Sequence, residues 1–137
     1  MGTWDASPFG NDTAADFAGD LDDLPLDERS EAIREALEAA IREADYLDSS
    51  EGDTAVAAAA LVAAQCPGGP PADTIYGPDE PVPDLPGDFR SLAVAALDRV
   101  VGPESESREL WAEGADGLRE WLSEIERLRK ALTANPK

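Results

Sequence analysis

The stretch DERSEAIREALEAAIREA, residues 27–44, decides the fold class. Its apolar residues Ile33, Leu37, Ala40, Ile41 and Ala44 recur at steps of three and four, with Glu and Arg between them. A helix gathers that spacing into one apolar stripe and turns the charges to the other side. Asp27 stands where its carboxylate can accept from the free N–H groups of a first turn, so it is read as the cap.

Working outward, the run AVAAAALVAA at residues 55–64 is apolar on every side. A helix of that kind is buried at the centre of its neighbours, and Ser50, followed by Glu51 and Asp53, is its expected start. Upstream, Asn11 or Asp12 caps a helix with Ala14, Phe17 and Leu21 on one face and Asp12, Asp16 and Asp20 on the other, ending before Pro25. Downstream, Gly87 or Asp88 opens a helix striped by Phe89, Leu92, Ala93, Ala96, Leu97, Val100 and Val101 and stopped by Gly102-Pro103. Helical signal resumes near Ser105 and runs to Trp111. After a break at residues 114–117, Leu118, Trp121, Leu122, Ile125, Leu128 and Leu132 form a last stripe, with Arg127, Arg129 and Lys130 near its dipole-complementing end. That stripe resembles a short coiled-coil seam but is too short for one, so it is assigned to the home core.

Two segments lie outside this pattern. Residues 67–87 hold Pro67, Pro70, Pro71, Pro78, Pro81, Pro83 and Pro86, which forbid continuous helix; Ile75, Tyr76, Val82 and Leu85 are the expected clamps of this long loop. Residues 1–10 carry Trp4, Pro8 and Phe9 among small residues and read as an arm pinned by its aromatics. The expected architecture is therefore all-α: a single-domain bundle of five to six helices over residues 1–137, with an ordered N-terminal arm and a long proline-rich loop.

Composition narrows the function. With 30 acidic against 11 basic side chains the formal charge is −19, and residues 1–60 hold 16 acids against 3 bases. Such a field repels phosphate backbones and anionic lipid and attracts basic protein surfaces, which excludes nucleic-acid and membrane partners and points to the first half as the contact region. The chain has no histidine, the commonest general base and metal ligand, and a single cysteine. Cys66 precedes Pro67 with no base nearby, so it reads as a small buried hydrophobe. No apolar run is long enough to span a bilayer, and Met1-Gly2 lacks the hydroxyl residue that a myristoylation motif wants at position 6, where Ala6 stands. A cytoplasmic setting is expected.

The candidate binding group is Asp12, Asp16, Asp20, Asp22 and Asp23, the first three at i, i+4 and i+8 on one helical face. Repelling carboxylates on one face call for a cation or a basic partner, but the segment lacks the alternating acids, glycine and distal glutamate of a calcium loop. No metal and no cofactor are assigned. Glu35-x-x-Glu38, Glu106-x-x-Glu109 and Glu113-x-x-Asp116 formally match carboxylate pairs of an all-α, metal-dependent nucleotide pyrophosphohydrolase, which is kept as the alternative.

The opening Met1-Gly2-Thr3-Trp4, then Ser7-Pro8-Phe9 and Asn11-Asp12-Thr13-Ala14-Ala15-Asp16-Phe17, resembles the N-terminal signature of the bacterial family called domain of unknown function 4259. Members open with M-G-T-W-G-x-G-P-F-[DE]-N-D and continue into an acidic helix. Asp5 and Ser7 stand where that signature has glycine, and Gly10 where it has an acid. The resemblance implies a small, helical, cytoplasmic protein. Within it Trp4, Pro8, Phe9 and Asn11 read as structural residues that pin the arm and cap the helix. The expectation is an acidic protein-binding or regulatory module of the antitoxin, immunity or inhibitor kind.

Overall fold

The computed structural model describes residues 12–43, 45–64, 88–102, 104–113 and 117–133. They form six helices: α1 Asp12–Asp22, α2 Leu26–Arg42, α3 Ser49–Ala64, α4 Asp88–Val101, α5 Glu106–Ala112 and α6 Gly117–Thr133. Among the described residues there is no strand, only an isolated parallel bridge between Leu47 and Ser105. The expectations for residues 1–10, Asn11, Cys66 and residues 67–87 lie outside the described residues.

α3 is the hub and packs against α1, α2, α4, α5 and α6. Every side chain from Ala55 to Ala63 is buried. Five surrounding helices are possible because alanine keeps the surface of α3 close to its backbone, so each neighbour can approach on its own side. The neighbours supply the bulk: Leu21 of α1, Ile33 and Leu37 of α2, Phe89, Leu97 and Val100 of α4, and Trp121, Ile125 and Leu128 of α6 share one apolar cluster with it. Burying each such side chain contributes about 1.5–3 kcal/mol, against the entropy of ordering it.

Two helix starts differ from the sequence reading. α2 begins at Leu26, with Pro25 rather than Asp27 in the capping position and no side-chain cap bond. Proline has no N–H to satisfy and its φ of −59° already suits a helix entry, while its carbonyl accepts from Glu28 N at 2.9 Å. α3 begins at Ser49, not Ser50, because the cap is Asp48, whose Oδ1 accepts from Glu51 N at 2.9 Å. α5 starts as expected, with the Ser105 side chain accepting from the Arg108 N–H.

Arg29 lies in the charged first turn of α2, yet it is 8% exposed. Its Nε donates to Leu21 O at 2.9 Å and Leu24 O at 3.0 Å, so the guanidinium closes the C-terminal end of α1, where carbonyls have no helical partner. α6 docks on the home core through Trp121, Ile125, Leu128 and Leu132, and Trp121 stacks on Trp111 of α5 with ring centroids 6.4 Å apart. Gly117 permits that approach: a Cβ there would lie 3.0 Å from the Trp111 ring. Among the described residues no helix is long and apolar enough to cross a membrane.

Candidate functional site

Two connections meet at one end of the bundle. The segment between α2 and α3 and the turn between α4 and α5 are joined by Leu47 N–H donating to Glu104 O and Glu106 N–H donating to Leu47 O, each at 2.8 Å. Leu47 is fully buried and anchors the junction. Arg99 of α4 draws the same two connections together: its Nε donates to Glu43 O at 3.1 Å and its terminal nitrogens to Asp45 O at 3.0 Å and Glu104 O at 3.3 Å. Glu104 takes a left-handed φ of 61°, a conformation that costs about 1 kcal/mol or more for a side-chain-bearing residue and is held here by those two donors on its carbonyl.

The consequence is electrostatic. Carboxylates that are distant in sequence arrive at the same end: Glu43, Asp45, Asp48, Glu51 and Asp53 from one segment, Glu104, Glu106 and Glu109 from the other. Arginines at this end bond backbone oxygens, Arg99 as above and Arg108 at 2.6 Å to Val101 O. Three titrating groups at this end are shifted upward, each chiefly by its immediate surroundings, with the neighbouring carboxylates adding to the effect. The Tyr46 hydroxyl donates to Glu109 Oε1 at 2.6 Å and is pushed up to about 12, by that bond first, then by burial and by the charges of Glu109, Glu106 and Glu104. Glu51 is raised by burial and by Asp48 and Glu43. Asp53 is raised to about 6, because burial outweighs the hydrogen bond it accepts from Ser107 Oγ at 3.2 Å and Glu106 adds repulsion.

Tight packing places that last pair. Ser107 is 2% exposed and faces Gly52, where a Cβ would lie 2.6 Å from Ser107 Oγ. Glu106 reaches back to cap α3, its Oε1 accepting from Ser49 N at 2.8 Å. Chemically, this end offers oxygen acceptors and negative potential around one phenol.

The aspartates singled out in the sequence are placed differently from one another. Asp16 and Asp20 are exposed one turn apart on α1, and Asp23 is exposed just beyond it. Asp22 is half-buried and its carbonyl accepts from Arg29. Asp12 opens α1. Among the described residues, no three Asp, Glu or Cys side chains are grouped so as to hold a metal ion. Of the carboxylate pairs, Glu38 bridges Arg34 and Arg42, Glu106 caps α3 and Glu109 holds Tyr46, while Asp116 lies outside the described residues. Trp4, Pro8, Phe9 and Asn11 also lie outside them. Sequence reading missed the acidic end, since its two halves are separated by more than fifty residues; the alternation of acids on each side of Tyr46 and Ser105 was the only visible trace.

Fold and surface together define an all-α acidic bundle built around an alanine-rich central helix. The profile of the family described as Domain of unknown function (DUF4259) matches residues 2–124, and the chain belongs to that family. No curated protein and no solved structure gives a match.

Proposed function

We propose that the chain is an acidic protein-binding module, a regulator of the antitoxin, immunity or inhibitor kind, working in the bacterial cytoplasm against a basic protein surface. The observation that carries this reading is the convergence at one end of two acidic segments, Glu43, Asp45, Asp48, Glu51 and Asp53 from one and Glu104, Glu106 and Glu109 from the other. Exposed Asp16, Asp20 and Asp23 on and beside α1 extend the acidic exterior of the first half. A surface of this kind accelerates encounter with a cationic partner and sets its orientation.

The test is co-purification of the native chain at low salt, followed by calorimetry with whatever basic protein is recovered. Affinity falls by about tenfold or more between 50 and 300 mM salt, because exposed charges are screened over about 6–14 Å in that range. Replacing Asp45→Lys with Glu104→Lys, whose side chains are exposed and whose structural bonds run through backbone oxygens, weakens it further. Binding indifferent to salt and to these reversals refutes the reading. Calorimetric titration with magnesium, manganese and calcium separates it from the alternative of a carboxylate-based hydrolase, which requires such an ion to bind.

A further inference from the structure

We infer that α5 is a pH-responsive latch, closed on the first turn of α3 in mild acid and released as the pH rises toward neutral, with the Asp53–Ser107 pair as its catch. The latch is a property of the chain alone, independent of the basic-partner reading. α5 is a short helix, Glu106–Ala112, and Ser107 is its one buried side chain. Its apolar attachment is the half-buried Trp111, stacked on Trp121 of α6. The side-chain bonds that tie it to α3 and to the α2–α3 connection all end on a carboxylate: the Tyr46 hydroxyl on Glu109 at 2.6 Å, the Ser49 N–H on Glu106 at 2.8 Å and the Ser107 hydroxyl on Asp53 at 3.2 Å. A helix with so little buried apolar surface belongs to the low-stability end of a fold and opens while the core stays closed.

The catch sits at the tightest point of the contact. Gly52 lets Ser107 approach so closely that a Cβ there would lie 2.6 Å from Ser107 Oγ, and the hydroxyl reaches Asp53 in the next position. Closing α5 therefore covers Asp53 and brings Glu106, a like charge, toward it. The other helices packed on α3, which are α1, α2, α4 and α6, bring no charged group among the described residues that acts on Asp53. With no cation among these groups to offset the ionised form, burial and Glu106 outweigh the bond from Ser107, and the carboxyl is raised to about 6. Once α5 opens, the carboxyl meets water and returns to its ordinary 3.8. The closed latch thus holds the proton more tightly than the open one, and its advantage is complete below about 3.8 and lost as the pH rises through about 6. Release also parts Glu109 from Tyr46 and Glu106 from the start of α3.

Amide hydrogen exchange of the full chain at pH 5 and pH 7.5, corrected for the intrinsic pH dependence of exchange, is the experiment. Protection of the α5 amides is expected to fall by about tenfold between the two conditions and to level off above about pH 6.5, since beyond that the open and closed forms are both ionised. At pH 7.5 these amides exchange at least about tenfold faster than those of the buried run Ala55–Ala63, which opens only with the whole bundle. Asp53→Asn keeps an acceptor for the Ser107 hydroxyl and cannot ionise, so its α5 protection at pH 7.5 stays within about twofold of that at pH 5. Amides of α5 as slow as those of Ala55–Ala63, α5 protection unchanged between the two pH values, or an Asp53→Asn chain that loses protection as the native chain does overturns the proposal.

Discussion

Asp53 carries a burial cost that its one hydrogen bond does not remove. Its carboxyl titrates near 6 in the folded protein against 3.8 as an ordinary aspartate, so the native state holds the proton more tightly than the unfolded chain does. The group's contribution to stability is thus complete below the unfolded value and declines as pH rises through about 6. Asp53→Asn keeps an acceptor for Ser107 and abolishes the ionisation. It is expected to raise stability at pH 7.5 by about 1–3 kcal/mol and to add almost nothing at pH 4, as read by urea unfolding at both values. Its neighbour Gly52 works in the opposite sense. Gly52→Ala drives a methyl into Ser107 Oγ and forces that hydroxyl away from Asp53, for an expected loss of about 1–3 kcal/mol in the same assay. Neither effect is written in the local sequence, where Gly52 is an unremarkable early helix residue and Ser107 lies more than fifty positions away.

At the scale of elements, the apolar periodicities located the helices, because a 3.6-residue repeat and an all-apolar run follow from the chain itself. The ends were less legible. The true caps of α2 and α3 are set by Pro25, by Asp48 and by the distant Glu106, and a remote carboxylate cannot be seen in a local window. Arg29 shows the same limit: it sits in a charged stretch, yet tertiary packing brings the open end of α1 over it. Arg29→Ala strips donors from buried carbonyls of Leu21 and Leu24 and is expected to cost about 2–4 kcal/mol, with α1 losing amide-exchange protection before the rest of the bundle. Arg29→Lys recovers only part of this, since one ammonium does not reproduce the planar guanidinium with donors at both Nε and the terminal nitrogens.

Across the whole molecule, a net charge of −19 loads the folded state with self-repulsion that the unfolded chain relieves by expanding. Screening should therefore stabilise this protein. Raising sodium chloride from 20 to 500 mM is expected to increase the unfolding free energy by about 1–2 kcal/mol, seen as an upward shift of the thermal midpoint by several degrees. The proposed binding to a basic partner is expected to respond to salt in the opposite direction, so the two curves measured on one preparation separate intramolecular repulsion from intermolecular attraction.

By itself the sequence determined the helical class, the central place of the alanine run and the sign of the surface charge, because periodicity, side-chain size and composition are properties of a chain before it folds. Only the tertiary structure decided which acids stand together, which arginine is buried and which short helix is held by bonds to carboxylates. Those depend on how helices and turns pack against one another, over separations from a few residues at Arg29 to more than fifty at the acidic end, and the packing angles that create such contacts are fixed by how all six helices fill one core.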